Sequence, residues 1–181
     1  GIQFGITGSV GKTGSKEMLR HALSQFGSCH ASQRSFNNHI GVPISLANLP
    51  QNTEFAVQEM GMNAAGEIAE LTKLTRPQIA LITRIADSHS AFFPSTADIA
   101  LAKAEIFQAI EGLSIAILNR DDAFYETLYA AAIAAGAKEV ISFGHHPEAA
   151  YRIVSIRDHD AGMTIEACLG FTDHVFELRM Y

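Results

Sequence analysis

The stretch that most constrains this chain is a strand running into a glycine-bearing loop that ends in Lys-Thr at the mouth of a helix. Ile2–Thr7 reads as a short buried strand, and the loop Thr7-Gly8-Ser9-Val10-Gly11-Lys12-Thr13 follows it. Lys12–Phe26 reads as a helix: Met18, Leu19, Ala22, Leu23 and Phe26 keep helical spacing, and Gly27 is placed to stop it. Glycines let backbone N–H groups approach phosphate oxygens, and the helix N-terminus adds partial positive charge. In that setting Lys12 reaches the β and γ phosphates and the Thr13 hydroxyl binds Mg²⁺. The spacing departs from G-x-x-x-x-G-K-[ST], because the position five before Gly11 is Ile6 and the glycine stands at Gly8. The competing reading is a turn that only joins strand to helix. The order strand, loop, Lys-Thr, helix favours phosphate binding.

The rest of the chain alternates in the same way. Phe55–Met60 and Ile79–Ile85 read as strands, as do Leu113–Leu118 and Glu139–Phe143. Between them Gly66–Thr75, Thr96–Ile110 and Asp122–Ala135 read as helices. Such alternation predicts an α/β fold, a mostly parallel sheet flanked by helices over residues 1–150. From residue 151 to 181 the pattern changes to short strands at Tyr151–Ile156, Met163–Leu169 and His174–Leu178, with turn residues between. This tail is expected to be a small antiparallel β extension of the same domain.

The 181 residues carry a net charge of -6, which lacks the basic footprint of a nucleic-acid partner. Cys29 and Cys168 show no metal spacing and fit a reducing compartment. No apolar run reaches the length of a membrane span, and the N-terminus lacks the order of a signal peptide. The chain opens on a strand without a start residue, so a longer parent is expected.

In an open parallel sheet, ligands bind outside the carboxyl ends of the strands. Glu59 stands at one such end and either holds Mg²⁺ or is a plain rim carboxylate. His89 lies just past another, as a metal or substrate contact or a solvated side chain, with Asp87 competing for either role. Asn119 follows a third and can read an adenine edge, while Asp122 reads best as a helix N-cap. Lys103 is the oddity. It shares the apolar stripe of Ile99, Ile106, Phe107 and Ile110, where a charge is costly unless paired. It either snorkels, pairs with a carboxylate such as Glu59, or has the lowered pKa that lets a lysine add CO₂ and become an anionic carbamate ligand.

Four stretches carry a family resemblance: Gly5–Thr13; Ser35-Phe36-Asn37-Asn38-His39-Ile40-Gly41-Val42-Pro43; Glu59-Met60-Gly61-Met62-Asn63 with Gly66-Glu67-Ile68; and Ala102–Phe107 leading to Leu118–Asp122. The chain resembles the central ATP-binding domain of the Mur ligase family, and within it the members that add D-alanyl-D-alanine to UDP-N-acetylmuramoyl-tripeptide. The resemblance implies a cytoplasmic bacterial enzyme of peptidoglycan synthesis, monomeric, that forms an acyl phosphate from ATP and releases ADP. It implies that Thr7, Gly8, Ser9, Val10, Gly11, Lys12 and Thr13 bind the nucleotide phosphates, and that Asn119 lies on the adenine side. Thr13, Glu59, His89 and Lys103 would lie at Mg²⁺, with Lys103 carbamylated, and Lys12, Lys103 and His89 would serve catalysis. Asn37 and Asn38 would face the muramoyl-peptide substrate. N- and C-terminal ligase domains would lie outside these 181 residues, so the chain alone is expected not to ligate.

There are departures. The family commonly has Asn-His-x-Gly-Glu-Ile where this chain has Asn63-Ala64-Ala65-Gly66, Leu-Glu where it has Ser90-Ala91, and Gly at Pro94. They put substrate detail in doubt and leave the nucleotide loop intact. Two alternatives remain at this stage: another Mur-type ligase or a folylpolyglutamate synthase-like enzyme, and a P-loop nucleotide switch.

Overall fold

In a computed structural model of the chain, all residues are described except 34–35, 88–92, 109–113, 161, 171–174 and 181; for 175–180 the backbone alone is described. The elements run β1 (Ile2–Thr7), α1 (Lys12–Leu23), β2 (Cys29–Ala31), α2 (Gly41–Ala47), β3 (Phe55–Glu59), α3 (Glu67–Thr75) and β4 (Ile79–Ile82). Then come α4 (Thr96–Ala104) with a 3₁₀ turn (Glu105–Phe107), β5 (Ile115–Asn119), α5 (Tyr125–Ala134), β6 (Glu139–Gly144), β7 (Tyr151–His159), β8 (Gly162–Leu169) and β9 (Val175–Met180).

These strands form one sheet in the order β2-β3-β1-β4-β5-β6-β7-β8-β9. The pairs from β2 to β7 are parallel, and β7-β8-β9 is antiparallel, so the tail extends the main sheet. From β1 the chain moves towards β2, whereas from β4 it moves the other way, towards β5 and β6. Where the connections diverge the strand ends open into a crevice, the usual ligand position in such sheets.

Period-two alternation sorts side chains to two faces. On one, Phe4, Ile6, Ala31 and Val57 pack under Leu19 and Leu23 of α1. On the other, Ala80, Ile82, Ala116 and Leu118 pack under Ile68 and Leu71 of α3, Ile99 of α4 and Leu128 of α5. Burying these side chains helps hold the helices to the sheet, at about 25 cal/mol per Å² of apolar surface removed from water.

Several element bounds differ from the expected ones. α1 stops at Leu23, leaving Phe26 80% exposed, because the chain turns through Phe26 N–H and Gly27 N–H to the Leu23 carbonyl. β4 ends at Ile82 rather than Ile85, because Thr83 and the residues after it bond to the loop that follows β1. α4 gives way to the 3₁₀ turn after Ala104, short of the expected Ile110, which lies outside the described residues. No helix among the described residues is long and apolar enough to cross a membrane.

Candidate nucleotide site

The loop after β1 is held in shape by β4. Thr83 Oγ1 donates to the carbonyls of Val10 (2.6 Å) and Thr7 (3.3 Å), Ser9 N–H donates to Arg84 O (2.7 Å), and Ser9 Oγ donates to Ala86 O (2.9 Å). Two glycines are required here. Gly8 has φ 149° and lies so close to Thr83 that a Cβ would collide with Oγ1, while Gly11, the N-cap of α1, has φ 84°. No side chain caps α1, so its first N–H groups face the loop as a partial positive charge.

Two lysines converge on one carbonyl of this loop. Lys12 Nζ donates to Gly8 O at 2.8 Å and reaches Ser9 O at 3.4 Å; Lys103 Nζ donates to Gly8 O at 3.0 Å. They come from opposite sides of the sheet. Lys12 opens α1, while Lys103 rises from the buried stripe of α4 and is only 1% exposed. Burial pushes the Lys103 ammonium down to about 8, and the Lys12 charge adds to the effect. Burial also lowers Lys12, with the Glu59 carboxylate working against it. So Lys103 neither snorkels nor pairs with Glu59. Its partner is the loop.

Glu59, at the carboxyl end of β3, is 1% exposed and fully engaged. Oε2 accepts from Thr13 Oγ1 at 2.9 Å, Oε1 accepts from Asn37 Nδ2 at 2.8 Å, and Lys16 Nζ lies 3.9 Å from Oε2. Asn37 is locked in turn, because its carbonyl accepts from Gly61 N–H at 2.7 Å. Thr13 and Glu59 supply adjacent hard oxygen donors beside a phosphate loop. That set fits Mg²⁺, which keeps several waters and is bound through one or two carboxylates plus phosphate oxygens.

The other expected residues fall as follows. Asn119 is half-buried at the end of β5, its Nδ2 on Thr83 O (3.3 Å) and its Oδ1 accepting from Asp121 N–H (3.0 Å). Asn38 Oδ1 accepts from Gly41 N–H (2.9 Å) and Ile40 N–H (3.1 Å), so it secures the start of α2. Lys12, Asn37, Asn38, His39, Gly61, Met62, Asn63, Glu67 and Lys103 line one cleft of about 270 Å³. His89, Ser90 and Ala91 lie outside the described residues. The N-cap reading of Asp122 is corrected. α5 starts at Tyr125 with Phe124 at the cap, and Asp122 instead accepts from Ile85 N–H (2.6 Å) and Phe124 N–H (2.9 Å), tying β4's exit to β5's.

Three residues escaped the sequence reading: Lys16, Thr83 and Glu105. Lys16 had a visible signal, since it shares the buried face of α1 with Leu19 and Leu23, as Lys103 shares that of α4. Glu105 is buried and accepts from Gly66 N–H (2.7 Å) and Ala69 N–H (3.1 Å), serving as the missing cap of α3.

A glycine-bearing loop at a helix mouth, a carboxylate on the neighbouring strand and a lysine from the far face make a site suited to a nucleotide's phosphates, and the comparisons place the chain in a family. The family model "Mur ligase middle domain" matches residues 6–181, and the chain belongs to the Mur ligase family. A UDP-N-acetylmuramoyl-tripeptide--D-alanyl-D-alanine ligase of Rickettsia prowazekii is 40% identical over 149 residues, which cover 82% of this chain and 33% of that protein. A crystal structure of MurF from Acinetobacter baumannii superposes with a TM-score of 0.87 at 28% identity, covering 98% of this chain and 38% of that one. A MurF ligase from Thermotoga maritima, crystallised in complex with ADP, superposes with a TM-score of 0.86 at 26% identity, covering 99% and 40%. The chain thus spans about a third of the curated relative it matches.

Proposed function

We propose that this chain is the nucleotide-binding part of an ATP-dependent, ADP-forming ligase that adds D-alanyl-D-alanine to UDP-N-acetylmuramoyl-tripeptide in the bacterial cytoplasm. The observation that carries the reading is the convergence of Lys12 and Lys103 on the Gly8 carbonyl, next to the Thr13–Glu59 pair. The loop amides and Lys12 hold the phosphates. Thr13, Glu59 and His89 hold Mg²⁺, which, when bound, neutralises charge on the transferring phosphoryl group. Asn119 lies on the adenine side, and Asn37 and Asn38 border the muramoyl-peptide cleft. Asn37 also fixes Glu59, so the peptide cleft and the cation carboxylate share a side chain.

Lys103 has the chemistry for carbamate formation. With its pKa near 8, a sizeable fraction is neutral amine at neutral pH. The amine lone pair attacks CO₂, an N–C bond forms, and a proton leaves to solvent, giving an anionic oxygen donor beside the cation site.

The decisive experiment uses the monomeric full-length parent, with the flanking domains that hold the UDP-sugar and the incoming dipeptide. ADP release requiring both UDP-muramoyl-tripeptide and D-alanyl-D-alanine is expected, and the 181-residue chain alone should bind nucleotide without ligating. Preference for a different amine from an acceptor panel would reassign the enzyme to another Mur-type or folylpolyglutamate-type ligase. Phosphate release that needs a partner protein and no acceptor would replace the ligase reading with a switch.

A further inference from the structure

The cleft of about 270 Å³ beside the loop is unevenly charged. Lys12 and Lys103 bring two ammonium groups to it, and His39 borders it as well. Among the described residues that line it, Glu67 alone carries a carboxylate. Two other carboxylates, near the loop and at the start of α3, are committed within the protein. Glu59 gives one oxygen to Thr13 and the other to Asn37, while Glu105 gives both of its oxygens to the amides of Gly66 and Ala69. Glu67 differs. It opens α3, is half-buried, and uses only Oε2, which accepts from Asn63 N–H at 2.7 Å. Among the described residues none donates to Oε1, so that oxygen is the one this side chain offers to the cleft. The start of α3 does not call on it, because Glu105 already takes the amides there.

A ligation brings one group that needs such an acceptor, the incoming amine. As an ammonium it meets repulsion from Lys12 and Lys103 in a cleft that screens charge less than bulk water. The same field favours the neutral amine, as the Lys12 charge does for Lys103. A neutral amine must still shed a proton when it attacks, and in this cleft Glu67 is the carboxylate able to take it.

We propose that Glu67 is a catalytic residue for the second half of the ligation: its Oε1 seats the attacking amine and takes its proton as the amide forms. The inference rests on the acyl-phosphate reading of the site. The ammonium leaves its first proton in solvent as it enters. The nitrogen lone pair then attacks the acyl carbon and a C–N bond forms, while Oε1 accepts the second proton. The C–O bond to the phosphoryl group breaks, phosphate departs with that electron pair, and Glu67 releases its proton to solvent.

The test uses the full-length parent with ATP, Mg²⁺ and UDP-muramoyl-tripeptide, offered either D-alanyl-D-alanine or hydroxylamine. Hydroxylamine is largely unprotonated at neutral pH and captures an acyl phosphate as a hydroxamate without help from a base. Glu67→Gln keeps an oxygen for Asn63 N–H and loses the proton acceptor. It is expected to slow dipeptide ligation by about 100-fold or more, the usual size of a general-base contribution, while hydroxamate forms at the wild-type rate. Dipeptide ligation at the wild-type rate overturns the proposal. So does an equal fall in both products, which marks a structural role. If Glu67→Gln gives no cooperative melt, Glu67→Asp decides, since one methylene less draws the carboxylate away from the amine. Ligation must then fall against hydroxamate by at least about tenfold, and an unchanged ratio overturns the proposal. A wild-type parent that forms neither product removes the ligase reading and this inference with it. A parent that forms both, with Glu67→Gln unresponsive, removes the inference alone.

Discussion

Replacing Lys103 with methionine should make the protein more stable at neutral pH while disabling it. The side chain is 1% exposed and its pKa is lowered to about 8 from 10.5. A depressed lysine pKa means the folded state holds its proton less well than the unfolded chain. The cost is fully present below pH 8 and is relieved as pH rises from 8 through 10.5, where the unfolded chain binds more protons and stability climbs. At 1.36 kcal/mol per pKa unit, charging Lys103 costs about 3 kcal/mol at pH 7 and about 1.5 kcal/mol at pH 9.5. Lys103→Met removes that cost at little penalty in lost hydrogen bonding, because Gly8 O keeps its 2.8 Å bond from Lys12. The expected gain is about 1–3 kcal/mol at pH 7, shrinking by about half at pH 9.5. Urea unfolding of wild type and variant in CO₂-free buffer at both pH values measures the difference, and every other titrating group cancels in the comparison. A variant that is less stable at pH 7, or a gain that does not change with pH, would refute the burial of a charged Lys103.

Two further outcomes follow from the geometry. Lys12→Ala should weaken ADP binding by about 10- to 100-fold, as expected for a charge-assisted contact to phosphate, yet shift unfolding by only about 1 kcal/mol, since Lys103 still holds Gly8 O; calorimetric affinity equal to wild type would defeat the phosphate assignment. Glu105→Ala strips the cap from α3 and should cost about 1–3 kcal/mol, with faster hydrogen exchange at the amides of Gly66 and Ala69; unaltered exchange there would show that the cap is idle.

Periodicity sufficed for the parallel sheet because β1, β3, β4 and β5 are largely apolar runs, each followed by a helix of nine or more residues. It missed β2 and α2, which have three and seven residues and are shaped by what they touch rather than by their own pattern. Lys103 was legible as an anomaly, since a charge on an apolar stripe demands a partner. Which partner was not legible. Glu59 was one candidate, and it proved to be taken by Thr13, Asn37 and Lys16 across the sheet. Asp122 and Glu105 show the same limit from the other side. Asp122 sits where a cap belongs in sequence, yet it bonds Phe124 before α5 begins and divides its carboxylate between that amide and the exit of β4. Glu105 sits at the end of one helix and caps another, 36 to 39 positions back in the chain. Local preference names a residue's chemistry, and tertiary contact chooses which group receives it.

That division bears on why the site stands where β1 ends. Alternation sends Ile6 and Glu59 to the α1 face and Gly5 and Ala80 to the face of α3 and α4, and the register Ile6↔Glu59 keeps the carboxylate level with the loop. Lys103 therefore cannot meet Glu59 through the sheet. It reaches the site at the end of β1, where its ammonium meets the Gly8 carbonyl. A Cβ at Gly5, two residues before the strand ends, would press on Met60, Pro77 and Ile106, the last of which shares Lys103's stripe. Core packing between β1 and α4 thus sets the height at which the Lys103 ammonium emerges. At Gly8, whose carbonyl accepts from both Lys12 and Lys103, the two faces of the sheet deliver their charges to one point.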